Sequence, residues 1–451
     1  MISSYARRKY ASSLRISKNL NANALIGQVN QYFKEKVPDH RIQPQIPLED
    51  VLMSAFAMFS LKDPSLLAFE RRRRENNLKH IYGLTQVPSD TAMRQILDDV
   101  DPERLYPLLP KLQAKLQRGK GLEDMAFYEG HYLISNDGTG YFSSEAIHCD
   151  QCLVKNSSSG KVSYAHQFLG SCLVHPDHKV VIPLSPEPIQ KSDGQEKNDC
   201  ERNASKRLLK RFRREHPHMK AIIVEDALAA NAPHIKELKK HDLRYIIGAK
   251  PQGNAFLFSQ AKEAAGTELT VTDESGVIHR FRFVNNLPLN ESNQDARVNF
   301  IEYWEESAKA TRQKGAVTAV KHFTWITDIL VTHDNVFTLM RGGRARWKIE
   351  NETFNTLKNQ GYQFEHNFGH GKNNLSTIFV LIMMLAFLVD QILQKMCKLF
   401  QAAWEASGTK RDLWAGIRSC YNLMHIDSMN QILTIIAGKL KVQAPSIDDT
   451  G

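Results

Sequence analysis

The sequence predicts an α/β protein: a mixed sheet with helices packed on it, carrying a β-rich insertion, preceded by a helical N-terminal domain and followed by C-terminal helices. Three observations carry this. Residues 1–125 place apolar side chains at helical spacing. Residues 126–250 switch to short β-branched and aromatic runs separated by charged helical stretches. Residues 251–335 then break that alternation with strand-like runs, after which the chain turns helical again through 336–398 and 399–451.

In the first segment, "PLEDVLMSAFAMFSLKDPSLLAFERRRR" has helical periodicity, and "PSDTAMRQILDDVDPERLYPLL" offers two helix starts, at Ser89 or Asp90 and at Asp101 before Pro102. Short helices joined by tight turns fit a helix-turn-helix DNA-binding module and equally a plain helical bundle. The run Arg71 to Arg74 is either a solvated face or a phosphate clamp. Then "HYLISND", "YAHQFLGSCLVH" and "KVVIPLS" are three sequential strands, "CERNASKRLLKRFRREH" a helix, "KAIIVED" a strand, "APHIKELKKH" a helix and "RYIIGAK" a strand. In the insertion, "ELTVTDESGVIHRFRFV" is a hairpin in which Arg280 and Arg282 alternate with Phe281 and Phe283, and "HFTWITDI" is a further strand. The tail "APSIDDTG" is expected to be loose.

With 451 residues, 42% of them hydrophobic, the chain can close one large core or two to three ordinary ones, which excludes a disordered protein. A net charge of +10 makes a polyanion such as nucleic acid a reasonable partner. The opening "MISSYARRKYASSLRISKNL" is polar and basic rather than signal-like, so a protein that stays inside the cell is expected. The longest apolar run, Leu375 to Val389, is short for a bilayer and interrupted by Ser376 and Thr377; it reads as a buried core helix, with no membrane partner. Six scattered cysteines fit a reducing compartment. Cys149 and Cys152 form a CxxC with His148 beside it and His166 downstream, either a small zinc knuckle or plain buried cysteines; the spacing of the second pair departs from a standard finger. In "EHNFGHG", His366 and His370 mimic a helical zinc pair, but Gly361, Gly369 and Gly371 argue for a loop, where that spacing loses its meaning.

The carboxylates carry the chemistry. "RARWKIENETFNTLKNQ", residues 344–360, reads as a helix; at about 100° per residue Trp347, Glu350, Phe354 and Leu357 share a core-facing stripe while Glu352 points away as ordinary surface. A carboxylate on an apolar stripe is costly unless it is paired or binds a metal. Pairing with Arg346, four residues earlier, is one reading and metal binding the other. Asp137 closes "YLISND" before Gly138, where a hairpin turn would also explain it, and Asp226 closes "AIIVED", where a helix N-cap would. In a sheet of this order the first and fourth strands can lie adjacent, bringing both aspartates to one edge, and a helix carrying Glu350 would add a third carboxylate. Three converging carboxylates suit two magnesium or manganese ions, which activate a water or 3′-hydroxyl and stabilise the leaving oxygen of a phosphodiester. Arg344, Arg346 and Lys348 would then hold DNA phosphates.

At these residues the sequence resembles DDE transposases of bacterial insertion sequences, of the insertion-sequence-four type. The resemblance rests on "DGT" at Asp137, "VEDA" at Asp226 and "RWKIE" ending at Glu350, with agreeing element order over roughly residues 125–395. It implies a ribonuclease-H-like core, Asp137, Asp226 and Glu350 as ligands of two magnesium ions, and strand cleavage at terminal inverted repeats with transfer of the 3′ ends into target DNA. It further implies a homodimer synapsed on DNA in the bacterial cytoplasm, associated with the nucleoid. The family signature sets tyrosine, arginine, glutamate and lysine at fixed spacing. Arg346 and Glu350 match; Gly343 stands at the tyrosine position and Leu357 at the lysine position, with Lys358 one residue late, a rotation of about 100°. A catalytically inactive, DNA-binding relative shares the same charge and fold. Trp304 and Trp325 are candidates either for core packing or for stacking a flipped base.

Overall fold

The computed structural model describes residues 19–73, 76–157, 160–193, 197–311 and 315–438; Arg74 and the tail "APSIDDTG" lie outside them. The first strands are β1 (Ala126–Tyr128), β2 (His131–Ser144), β3 (Leu153–Asn156), β4 (Val162–Val174), β5 (Ile182–Pro183) and β6 (Glu187–Ile189). They are followed by β7 (Ala221–Glu225), β8 (Arg244–Gly248), β9 (Thr267–Thr272), β10 (Ile278–Asn290), β11 (Asn293–Thr311) and β12 (Gly315–Thr327). All belong to one mixed sheet, whose main path runs β3-β4-β2-β7-β8-β12-β11-β10-β9. Among the described residues, only β2–β7 and β7–β8 are parallel. The first and fourth predicted strands are therefore neighbours, as the element order suggested.

The parallel strands explain themselves locally. β7 reads AIIVE and is buried throughout, as a strand covered on both faces must be. The insertion is not a separate layer: β12 pairs antiparallel with β8 through Trp325↔Gly248, Ile326↔Ile247 and Thr327↔Ile246, so the predicted β9–β10 hairpin and the unpredicted β11 extend the central sheet.

Helices α1 (Ala22–Lys36), α2 (Leu48–Leu61), α3 (Leu66–Glu70), α4 (Asn76–Tyr82), α5 (Asp90–Asp98) and α6 (Leu108–Arg118) precede the sheet. Ser89 caps α5, accepting from Ala92 N, and Asp101 caps the 3₁₀ turn at Pro102, as their sequence signals predict. α7 (Lys197–Glu215) and α8 (Ala232–Lys240) flank β7, and α9 (Ala255–Glu263) opens the insertion. The last helices are α10 (Val336–Arg344), α11 (Asn355–Asn359), α12 (Leu375–Met396), α13 (Lys398–Ser407), α14 (Lys410–Leu423) and α15 (Met429–Ile436). By length and composition α12 could cross a bilayer, yet 94% of its most apolar window is buried, and it runs beyond the predicted Val389. Its sequence is apolar all round because it is wrapped all round.

One apolar cluster runs from Leu20 to Leu433, so the N-terminal helices share their core with α12 and the C-terminal helices. Buried charges fasten the two together. Lys62, at the end of α2, donates to Asp390 of α12 at 2.6 Å, and Tyr362 donates to the same carboxylate. Arg72 makes a bidentate pair with Asp63, both bonds 2.8 Å, and reaches Asn422. Arg72 is thus neither solvated nor available to a phosphate, which corrects both readings of the arginine run at that position.

Two further expectations fail. β2 continues through Asp137 to Ser144, and Gly138 pairs with Leu169 in the ladder, so Asp137 lies in mid-strand and no turn forms there. The stretch "KVVIPLS" supplies only the two-residue β5.

Removing one partner of a buried ion pair leaves the other charge uncompensated. Asp390→Ala is expected to lower the unfolding free energy by about 3–5 kcal/mol in denaturant titration, and Lys62→Met combined with Asp390→Leu to recover most of it. A loss under 1 kcal/mol for Asp390→Ala would rule this pair out as the tie between the two helical segments.

Candidate active site

The β2–β7 ladder ends at Ser135↔Val224. Asp137 stands two residues further along β2, and Asp226 is the first residue after β7, so both follow the end of the ladder. Both carboxylates line a cavity of about 70 Å³ together with Glu201, Arg202, Asn231 and His234. Asp226 follows the C-terminal end of a parallel strand, where ligands bind in open α/β sheets. It is exposed and also caps the 3₁₀ turn Ala227–Ala229, its Oδ1 accepting the Leu228 N–H at 2.9 Å. The capping reading is therefore correct, and it uses one oxygen.

Glu350 comes from the segment after α10 and meets Asp137, outside the lining of that cavity. That segment is not the single helix the periodicity predicts: a 3₁₀ turn covers Ala345–Trp347, a π-helix Ile349–Phe354, and α-helix resumes at Asn355. The wide turn, in which Asn355 N–H bonds to Glu350 O, changes which side chains face inward. Ile349, Thr353, Phe354 and Leu357 are buried, whereas Trp347 is 49% exposed. The predicted apolar stripe through Trp347 is thus overturned. Glu352, half-buried, is not plain surface either; its charge acts on Lys348 and Lys410.

The meeting with Asp137 stands. Arg346 Nη1 lies 2.9 Å from Glu350 Oε1 and 3.4 Å from Asp137 Oδ2, bridging the two carboxylates. Its carbonyl accepts from Ser135 Oγ at 3.0 Å, and its guanidinium sits 4.5 Å from the centre of the Trp347 ring. The sheet beneath is shaped for this. Asp137 pairs across the ladder with Gly170, where an added Cβ would lie 2.8 Å from Phe354 Cε1, so Phe354 fills the space.

Burial pushes the Asp137 carboxyl up to about 7; Arg346 pulls it down, and the neighbouring Glu350 charge adds to the rise. In the lining of the same cavity Asn136 donates to Glu225 at 2.9 Å, and Glu225 meets His234 at 2.5 Å. Burial opposes the His234 charge, but Glu225 holds its pKa above the usual value; burial would raise Glu225, and His234 with Asn136 keeps it low. Glu201, Glu225 and His234 were not singled out from sequence. The one available signal was Glu225 directly before Asp226 at the end of an apolar strand.

The remaining predicted residues divide. Arg344 pairs with Glu305 of β11 and lies over the Phe323 ring at 5.2 Å. Lys348 donates to the His178 carbonyl at 2.8 Å, and Lys358 pairs with Glu365 at 2.8 Å. Trp325 is buried beside Phe323, which is the packing reading, while Trp304 is half-buried and stacked on His322. Gly343 is in contact with the Trp325 indole: a Cβ there would lie 2.5 Å from its Nε1. Away from the carboxylates, Cys149, Cys152 and His166 meet His370, all four potential ligand atoms within 4.8 Å of one another. His148 is outside that group, stacked on Tyr164 at 4.3 Å.

A folded-state pKa of about 7 for Asp137, against about 3.9 in an unfolded chain, means that the folded protein binds this proton more tightly. That advantage is complete below about 4 and is lost as pH rises through about 7. Asp137→Asn is therefore expected to raise metal-free stability at pH 8 by about 1 kcal/mol or more, the gain shrinking toward pH 5. Added magnesium should narrow the gap at pH 8 by stabilising the parent chain. Calorimetric melting at the two pH values checks this; an equal gain at both would exclude a raised Asp137.

No protein-family model matches the chain, and no curated protein matches it in sequence.

Proposed function

We propose that this protein is a DDE-type DNA transposase, with Asp137, Asp226 and Glu350 holding two magnesium or manganese ions on a ribonuclease-H-like core. One observation carries the reading: Asp137 and Asp226 both follow the end of the parallel β2–β7 ladder, and Arg346 joins Asp137 to Glu350. The antiparallel β4–β2 pair continued by parallel β7 and β8 supports the core assignment.

The donor set fits such ions, being three carboxylates with hard oxygen atoms. Bound there, two ions would activate a water or a 3′-hydroxyl and stabilise the leaving oxygen of a phosphodiester. The chain's own groups do the rest. Asp137 is held where its ionised form is unfavourable, so a cation is a better partner for it than solvent. The π turn aims Glu350 across at Asp137, and Arg346 neutralises both carboxylates while its five N–H donors suit a phosphate. A net charge of +10 draws DNA toward the site. The substrates would be terminal inverted repeats and target DNA, in a dimer synapsing two ends.

A second reading, a DNA-binding relative without cleavage, is favoured by Gly343 and the buried Leu357 at the positions where the resemblance expects tyrosine and lysine. Donor-plasmid cleavage separates the two. With magnesium, cleavage at the element ends is expected to fall by roughly 10²–10³-fold or more in Glu350→Gln, the scale of losing one electrostatic group, and to change little in Glu352→Gln. Equal loss in both variants would remove Glu350 from the site, and end binding without cleavage in any metal would leave the DNA-binding reading.

A further inference from the structure

Cys149 and Cys152 lie in the connection between β2 and β3, His166 on β4, and His370 in the loop between α11 and α12. The two sulfurs are 3.9 Å apart; His166 Nε2 is 3.5 Å from each sulfur. His370 Nε2 is 3.1 Å from Cys152 Sγ and 3.1 Å from His166 Nε2. A tetrahedral zinc ion at about 2.3 Å from sulfur and about 2.05 Å from nitrogen would set those edges at about 3.8 Å for S–S, about 3.6 Å for S–N and about 3.3 Å for N–N. Five of the six separations fall within about half an ångström of that frame, and the sixth, Cys149 Sγ to His370 Nε2, lies within 4.8 Å. Pairwise hydrogen bonds would not require four ligand atoms to surround one point.

The surroundings agree. His370 Nδ1 lies 2.8 Å from the Gly371 carbonyl, which can only accept, so the proton sits on Nδ1 and the Nε2 lone pair faces the cluster. The Cys149 N–H donates to Cys152 Sγ at 3.5 Å, which holds the two cysteines in one turn. Cys152, His166 and His370 are buried, with the Tyr141 and Phe142 rings around the histidines. The loop is shaped to deliver His370: Gly369 and Gly371 take φ of +132° and +71°, and Asp98 accepts the N–H groups of Lys372, Asn373, Asn374 and Leu375.

We propose that Cys149, Cys152, His166 and His370 bind a structural zinc ion that fastens the β2–β4 hairpin to the loop following the Glu350 helix. Two thiolates and two imidazoles select zinc over the hard cations suited to the carboxylates, and a full set of four protein ligands leaves no open position for chemistry. The zinc site is independent of the transposase reading, since metal content can be measured without DNA.

The full-length protein, purified with its thiols reduced, is expected to carry one zinc per chain by elemental mass spectrometry. Cobalt exchanged for zinc should give a thiolate charge-transfer band and the intense visible bands of a tetrahedral site. His370→Ala and Cys152→Ser should lose most of the metal; His366→Ala and Cys420→Ser, outside the cluster, should keep it. The parent cobalt spectrum decides the matter even if a ligand variant fails to fold. A folded chain that takes up neither zinc nor cobalt, a Cys149–Cys152 disulfide persisting in reductant, or full metal content in a folded His370→Ala would each overturn the proposal.

Discussion

Gly170 has no Cβ, and the carboxylate site depends on that absence. It stands directly across the β2–β4 ladder from Asp137, and the space above it is filled by the Phe354 ring, with Ile349 Cδ1 3.5 Å from where a Cβ would lie. Thr353 meets Cys172, the next residue of β4 on that face, at 3.2 Å. The π-helical segment is thus seated on the strand beside Asp137, and Glu350, one residue after Ile349, is delivered next to the aspartate. A methyl group at position 170 would lift this segment in a tightly packed interior, and the carboxylate would move with it.

The seat explains the electrostatics. Two carboxylates are held together in a partly buried place, a costly arrangement that Arg346 offsets by bridging them. The offset is incomplete, since Asp137 remains raised to about 7. A cation bound beside the pair would relieve that unfavourable charge. The Asn136–Glu225–His234 network ties β2 to the end of β7 and to α8 beside the aspartates.

Much of this was legible in the sequence because it is local or follows from element order. Asp137 and Asp226 could be brought together on paper because each ends a recognisable apolar strand segment and the strand order allows adjacency. Glu350 was legible as a charge among apolar residues, although the stripe assigned to it was wrong: even 100° spacing cannot anticipate a 3₁₀ turn followed by a π turn, in which Trp347 is exposed and Ile349 is buried. The fourth member of the cysteine–histidine cluster was out of reach. His370 lies 204 residues from His166, and its own neighbourhood offers only His366, a misleading partner on the same loop. Gly170 carries no sequence signal, since its role is set by a side chain on a distant segment.

The least legible feature is how the insertion touches the Glu350 segment. Gly342 and Gly343 close α10, and a Cβ on either would collide: at 342 with Phe127 and Ile246, at 343 with Trp325 of β12. Next to them Arg344 pairs with Glu305 of β11, which also holds Lys321 of β12. The turn that leads into Glu350 is therefore clamped between a glycine pair, which lets the sheet approach, and a salt bridge, which fixes its angle. Gly343 is the position where the resemblance would place a tyrosine. Here the indole of Trp325 leaves no room even for a Cβ. The insertion thus packs directly against the two residues that precede Arg346, and it is part of the framework around the Arg346–Glu350 segment.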